Sequence, residues 1–102
     1  MGITQWTDDE LLEEIGRRLR RYRLQGNITQ ADLSRRAGIS LRTLGNIENG
    51  RDVQLGTMIR ILRALGRLDS LDAFLPEPGV SPIELLHSHG RPRQRAGRGR
   101  RG

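Results

Sequence analysis

The chain has 102 residues, no cysteine and a formal net charge of +6. This length suits one small domain with a tail rather than two domains, and the lack of cysteine excludes disulfides, thiol nucleophiles and cysteine-based zinc sites. No apolar run approaches the length of a membrane span, and the first residues are acidic rather than typical of a signal sequence. We therefore expect a soluble cytoplasmic protein.

The positive charge is unevenly placed. All 18 basic residues are arginine. Residues 91–102 carry six arginines and no acid, which leaves residues 1–90 with 12 arginines and 12 acids. The body is therefore neutral, and the excess charge belongs to the tail. Because the tail has almost no apolar side chains, it cannot bury enough surface to offset chain entropy, and we predict that residues 91–102 are disordered.

A capping box opens the first predicted helix, with Thr7 as the N-cap and Glu10 reaching back to it. The helix should run to about residue 24. Its apolar residues recur at spacings of three and four and predict one buried stripe, formed by Leu12, Ile15, Leu19 and Tyr22. Two i,i+4 pairs should add about 0.2–0.5 kcal/mol each, namely Glu13 with Arg17 and Glu14 with Arg18. The acids from residue 8 to residue 14 are interpreted as a solvated helix start. We interpret the arginines of the helix mainly as an exposed face, namely Arg17, Arg18, Arg20 and Arg21, of which one or two contact phosphate.

Residues 29–50 predict two short helices joined by one sharp turn. Thr29 caps the first helix, and Gly38 ends it because glycine adopts the left-handed conformation at little cost. Ser40 caps the second helix, which turns Leu44 and Ile47 inward. Its outward face consists of Leu41, Arg42, Thr43, Gly45, Asn46 and Asn49.

Three further helices are predicted after this stretch. The first, from about 55 to 66, has a wide apolar face of Leu55, Met58, Ile59, Leu62 and Leu65. A shorter helix begins at Asp69-Ser70 and runs through Phe74, with Leu71, Phe74 and Leu75 expected to close the core; the alternative for Phe74 is a dimer contact. After a break at 76–79, the sequence Ser81-Pro82-Ile83-Glu84 caps a last short helix at 82–87. That helix would need a partner to be stable, so it is a candidate dimer or partner contact.

The stretch 29–50 resembles the helix-turn-helix of the Xre family, the Cro and phage-repressor-like regulators. The residues that carry the match are Thr29-Gln30, Leu33, Ala37-Gly38, Ile39-Ser40, Leu44 and Ile47-Glu48-Asn49-Gly50. The resemblance covers about residues 15–66. It implies an all-α fold, namely a compact five-helix domain over residues 7–75. A linker at 76–90 with the extra helix 82–87 and the tail at 91–102 would follow.

The resemblance also implies a function, that of a sequence-specific regulator that binds double-stranded DNA. Such a protein would be a homodimeric repressor that reads a palindromic operator through helix 40–49, nucleoid-associated when bound to DNA. The residues expected to contact DNA are Gln30, Ser40, Leu41, Arg42, Thr43, Asn46, Asn49 and Arg51. Arg23 is expected to pair with Glu48 and so lock the first helix to the end of the recognition helix. Gly45 departs from the family pattern, which usually has a side chain there.

Two alternatives remain open at the level of the sequence. The compact body, the separate segment 81–87 and the tail resemble HipB-like antitoxins in layout, so the chain would repress its own operon and neutralise a toxin protein through its C-terminal segment. In the second alternative the arginine-rich tail binds RNA. An enzyme is not expected, since the sequence has no nucleophile–base set, phosphate loop or metal-ligand spacing. We expect no cofactor and no metal, and we interpret His87 and His89 as ordinary surface residues.

Overall fold

A computed structural model describes residues 2–79 of the chain. Over that range the protein has a short 3-10 turn and five α-helices, with no strand. The turn is Ile3–Gln5, and the helices are α1 (Asp8–Gln25), α2 (Gln30–Ala37), α3 (Leu41–Glu48), α4 (Leu55–Ala64) and α5 (Ser70–Phe74). The predicted all-α, five-helix fold is confirmed. The predicted helix 82–87 and the predicted disorder of 91–102 concern residues outside the described range. None of the helices between residues 2 and 79 is long and apolar enough to cross a membrane.

The helix boundaries follow from local side-chain chemistry. The three predicted N-caps that lie within the described residues are confirmed: the hydroxyls of Thr7, Thr29 and Ser40 accept hydrogen bonds from the backbone N–H three residues later, at 2.9–3.1 Å. The N–H of Thr7 also donates to the carboxylate of Glu10 at 2.8 Å, which completes the capping box. Gly38 has a φ of 72° and ends α2 in the left-handed conformation, as predicted. These caps satisfy backbone groups that a helix end would otherwise leave unpaired.

The core lies where α1, α2, α3 and α4 meet. Leu33, Leu44 and Ile61 are fully buried, one each from α2, α3 and α4. Leu19 of α1 and Ile47 of α3 complete the cluster together with Ala37. Helix α2 packs against both α3 and α4, and α1 packs against α3. The helix-turn-helix is therefore supported from two sides.

The predicted buried stripe of α1 is partly wrong. The side chains of Ile15 and Tyr22 are 42% and 37% exposed, and the buried residues are Gly16, Leu19 and Arg23. The reason is that α1 approaches α3 backbone to backbone at Gly16, which rotates the helix relative to the apolar pattern. Tyr22 instead lies under the guanidinium of Arg67, whose central carbon is 4.0 Å from the ring centroid.

One of the two predicted charge pairs on α1 also forms differently. Glu14 binds Arg18 with an Nε–Oε2 distance of 2.7 Å, as predicted. Arg17, however, contacts Glu14 as well, three residues away, and not Glu13. A carboxylate has two oxygens that can accept from two guanidinium groups at once, so Glu14 serves both arginines.

The apolar faces of α4 and α5 are corrected too. In α4 the fully buried residue is Ile61, which the predicted face omitted, whereas Leu55 is 58% exposed. At the end of α5 and directly after it, the predicted core residues Phe74 and Leu75 are 67% and 76% exposed, and of the three predicted core residues only Leu71 is half-buried. A helix of five residues completes less than two turns, so it presents only one position to the core.

Candidate nucleic-acid interface

Helix α3 buries one face and exposes the other. Its buried residues are Leu44, Ile47 and Glu48, while Leu41, Arg42 and Asn46 are exposed. Arg42 and Asn46 are four residues apart and therefore neighbours on the outer surface. With its side chains an α-helix is about 10–12 Å across, which suits the DNA major groove of about 12 Å. The outer face of α3 thus has the dimensions and the hydrogen-bonding groups of a base reader.

A buried ion pair holds the C-terminal end of α3. The guanidinium of Arg23 donates to both carboxylate oxygens of Glu48, from Nε at 2.7 Å and from Nη2 at 2.9 Å. The two side chains are only 8% and 2% exposed. The hydrogen bond to Glu48 raises the pKa of Arg23 above its ordinary value, so the guanidinium stays charged. The pair that the resemblance implied is present.

Two further groups join this ion pair into a network. The third guanidinium nitrogen of Arg23 donates to the carbonyl oxygen of Ile28 at 2.9 Å, in the connection between α1 and α2. The side-chain amide of Gln30 donates to Glu48 at 3.0 Å. Because Gln30 is the first residue of α2, the network ties α1, the start of α2 and the end of α3 together. The Gln30 amide has a second N–H and a carbonyl oxygen beyond this bond.

Local hydrogen bonds hold the other end of α3. The Ser40 hydroxyl accepts from the backbone N–H of Thr43 at 2.9 Å and donates to the Thr43 hydroxyl at 2.8 Å. Both side chains therefore take part in the N-cap. Thr43 is half-buried, while Ser40 is exposed.

The eight predicted DNA-contacting residues belong to two elements of the fold. Seven of them are in α3 or in the residues next to its ends, and Gln30 begins α2. Asn49 forms the C-cap of α3, and the exposed Arg51 follows with its backbone N–H bonded to the carbonyl of Asn46 at 2.9 Å. Gln30 and Asn49 line one cleft together with α1. The structure brings these two together although they are 19 positions apart in the sequence.

That cleft also contains two arginines that are not among the eight predicted DNA-contacting residues. Arg17 and Arg20 of α1 line it, beside Gln30 and Asn49. In the sequence they read as part of an exposed helical face. Only the packing of α1 against α3 brings two of the five arginines between residues 17 and 23 to this cleft. Among residues 2–79 there is no group of three or more His, Cys, Asp or Glu side chains that could hold a metal ion.

Comparison with known families identifies the fold. Residues 19–70, just over half of the chain, match a family described as Helix-turn-helix. The chain therefore belongs to the Xre/Cro-like helix-turn-helix family, and it is a regulator that binds double-stranded DNA. This family is regulatory and not typically enzymatic. Comparison with curated proteins gives no match.

Proposed function

We propose that this DNA-binding regulator is a homodimeric repressor that reads a palindromic operator through helix 40–49. The observation that carries the proposal is that one face of α3 is fixed to the rest of the domain while the opposite face exposes polar side chains. Glu48 is fixed by Arg23 and Gln30, while Arg42 and Asn46 are exposed. Because the backbone of α3 is already held in place, docking has to order only the exposed side chains and not the helix itself.

The exposed side chains of α3 supply the proposed base contacts. The Arg42 guanidinium has the fork geometry to bind O6 and N7 of guanine, and the Asn46 amide matches N6 and N7 of adenine. Leu41, whose side chain is 51% exposed, and the methyl group of Thr43 offer apolar contact to thymine methyls. Each bidentate contact typically discriminates against the wrong base by about 1–3 kcal/mol.

The proposed phosphate contacts flank this face. Gln30 at the start of α2, Ser40 at the start of α3, and Asn49 and Arg51 after its end would bind the backbone on either side of the groove. Contacts of this kind fix the register of the protein on the duplex without reading sequence. They are compatible with the neutral body of the domain, which we take to be residues 7–75, because amide and hydroxyl groups bind phosphate without net charge.

The proposed dimer is supported by the exposed end of α5. Phe74 and Leu75 are adjacent, and more than half of each side chain is exposed. Large apolar side chains exposed side by side often mark a protein contact. A second copy would place a second α3 on the neighbouring half-site, about 34–36 Å away for one turn of DNA.

Selection from a pool of random duplexes tests the proposed function. The full chain and a truncation that ends at residue 90 should enrich the same palindrome, with the truncation binding all sequences more weakly and with less dependence on salt. Arg42→Ala should lose about 1–3 kcal/mol on the selected site and relax the preference there. If no sequence is enriched and all binding disappears in the truncation, the tail is the nucleic-acid contact and α3 is not a reader.

A second candidate function, an antitoxin, is favoured by one feature of the sequence. The capping signature Ser81-Pro82-Ile83-Glu84 is followed by Leu85 and Leu86, beyond the domain. A short apolar segment of this kind suits binding to a partner protein. In this case the chain would repress its own operon and neutralise a toxin through residues 76–102. Co-expression with the product of the adjacent gene tests this. A stable complex that is lost with Leu85→Ser but kept with Arg42→Ala would support it, and no complex would exclude it for that gene product.

A further inference from the structure

A cleft separates α1 from the start of α2 and the end of α3. Two of its lining residues, Gln30 and Asn49, are proposed to contact DNA. The other four have no DNA contact in the proposed function: Glu13, Arg17, Arg20 and Glu48. Because Gln30 and Asn49 line this cleft, a phosphate that binds both of them would lie against the cleft. The charges inside the cleft therefore decide how strongly α1 attracts that phosphate.

The charged groups of the cleft are not equally available. Glu48 is neutralised by its buried ion pair with Arg23. Arg17 is in contact with Glu14. Arg20 is exposed and has no carboxylate partner among residues 2–79. Arg17 and Arg20 are the two arginines that line this cleft. Within the described part of the chain, the guanidinium of Arg20 does not contact an acid and can therefore bind a phosphate.

Glu13 is the acid in this cleft whose negative charge would repel a bound phosphate. Its stem packs against the turn after α3, since a Cβ added at Gly50 would lie 2.8 Å from the Cγ of Glu13. Gly50 has a φ of 91°, a conformation that favours glycine. With no Cβ at this position, the turn can lie close to the side chain of Glu13. The carboxylate is therefore held beside the end of α3 and contributes negative charge to the same cleft as Arg20.

We propose that this cleft is a DNA phosphate site and that Arg20 is its principal ligand, with Arg17 as a secondary one. The inference rests on the proposed function, because it requires α3 to lie in the major groove. A guanidinium binds a phosphate through two parallel N–H donors, and the amides of Gln30 and Asn49 add neutral donors around it. Helix α1 then binds the DNA backbone beside the half-site while α3 contacts the bases.

Arg21 provides a matched control for Arg20. It is the next residue on the same helix, it is also exposed, and it also has no carboxylate partner in the described residues. It lines a different cleft, together with Arg18, Tyr22 and Gln25. Removing either arginine changes the net charge equally, so any difference between the two variants reports the position of the charge.

The experiment measures binding of the full chain to a selected duplex and to a scrambled duplex over a series of salt concentrations. Arg20→Gln should weaken binding to both duplexes about tenfold and should lower the slope of log affinity against log salt by about 0.9, the value for one phosphate contact. Arg21→Gln should change both quantities much less. Glu13→Gln should act in the opposite direction to Arg20→Gln and tighten binding to both duplexes.

The outcomes separate this inference from the proposed function. If the wild type prefers its selected site and Arg42→Ala removes that preference, but Arg20→Gln and Arg21→Gln behave alike, the cleft is not a phosphate site. If the wild type has no preference and Arg42→Ala has no effect, the proposed function fails and the inference fails with it. Thermal unfolding of each variant checks that the exposed substitutions leave the fold intact.

Discussion

Replacing Arg23 with methionine should remove most of the stability of the domain. The substitution keeps a long apolar stem but deletes the two hydrogen bonds to Glu48 at 2.7 and 2.9 Å and the one to Ile28 at 2.9 Å. The Glu48 side chain is 2% exposed, so water cannot replace the lost donors, and only the bond from Gln30 remains. Breaking a buried ion pair by removing one partner costs about 3–5 kcal/mol.

Thermal unfolding followed by circular dichroism measures this cost. In a domain of this size each kcal/mol shifts the unfolding midpoint by about 4–8 °C. A loss of about 3 kcal/mol in Arg23→Met should therefore lower the midpoint by more than about 10 °C. Adding Glu48→Leu to Arg23→Met removes the unpaired carboxylate. The double variant should therefore recover most of the loss, because replacing a whole buried ion pair with apolar residues is often close to neutral.

Arg35→Met is the matched control. Arg35 also contacts a carboxylate, that of Asp32, but its side chain is 72% exposed. Exposed pairs contribute about 0–1 kcal/mol, so this variant should unfold within a few degrees of the wild type. If Arg23→Met costs no more than Arg35→Met, or if the double variant is no more stable than Arg23→Met alone, the ion pair does not hold α1 and α3 together.

Three further predictions concern glycines and the apolar end of α5. Gly16→Ala should destabilise the fold by about 1–3 kcal/mol, because the added Cβ would lie 2.5 Å from the carbonyl oxygen of Ile47; an unchanged unfolding midpoint would contradict the close approach of α1 to α3. Gly45→Ala should instead stabilise the protein by about 0.5–1 kcal/mol, since a Cβ there meets nothing within 4 Å; a lower midpoint in denaturant would refute this. Phe74→Ser should dissociate the proposed dimer in sedimentation equilibrium without lowering helix content, and unchanged association would contradict the proposed contact at Phe74.

The sequence predicts the boundaries of these helices better than their orientation. A cap depends on a few neighbouring residues, so Thr7, Thr29, Ser40 and Gly38 could be assigned from the sequence alone. Each hydrogen bond that they predict spans three residues along the chain. The sequence contains all the information for such contacts within one turn of helix.

Which face of a helix is buried depends on the helix that packs against it. In α1 the apolar pattern favours a face through Ile15 and Tyr22, yet the helix buries Gly16 and Arg23. Glycine has no apolar signal and arginine reads as surface, so a periodicity argument counts both as outward. Arg23 is buried because Glu48, 25 positions further on, is there to receive it. The resemblance to a known family implied that pair, whereas the residue pattern of α1 alone did not.

The same distinction between local pattern and helix packing applies to the candidate site. The outward face of α3 could be predicted from the spacing of Leu44 and Ile47, because a short helix with two buried residues leaves few choices for the remainder. The cleft with Arg17 and Arg20 could not be predicted in this way. Five arginines lie between residues 17 and 23, and the sequence does not distinguish those beside Gln30 and Asn49 from those on the opposite flank.

The packing of α1 on α3 has a consequence for how the protein engages DNA. The carbonyl oxygens of Ile47 and Glu48 lie against Gly16, and the Glu48 side chain is bound by Arg23 from the same helix. Backbone and side chain thus fix the end of α3 to α1 at two points, whereas the start of α3 is held by the local cap of Ser40. Because α3 cannot turn without α1, the phosphate contact proposed for α1 would also set the angle at which α3 enters the groove.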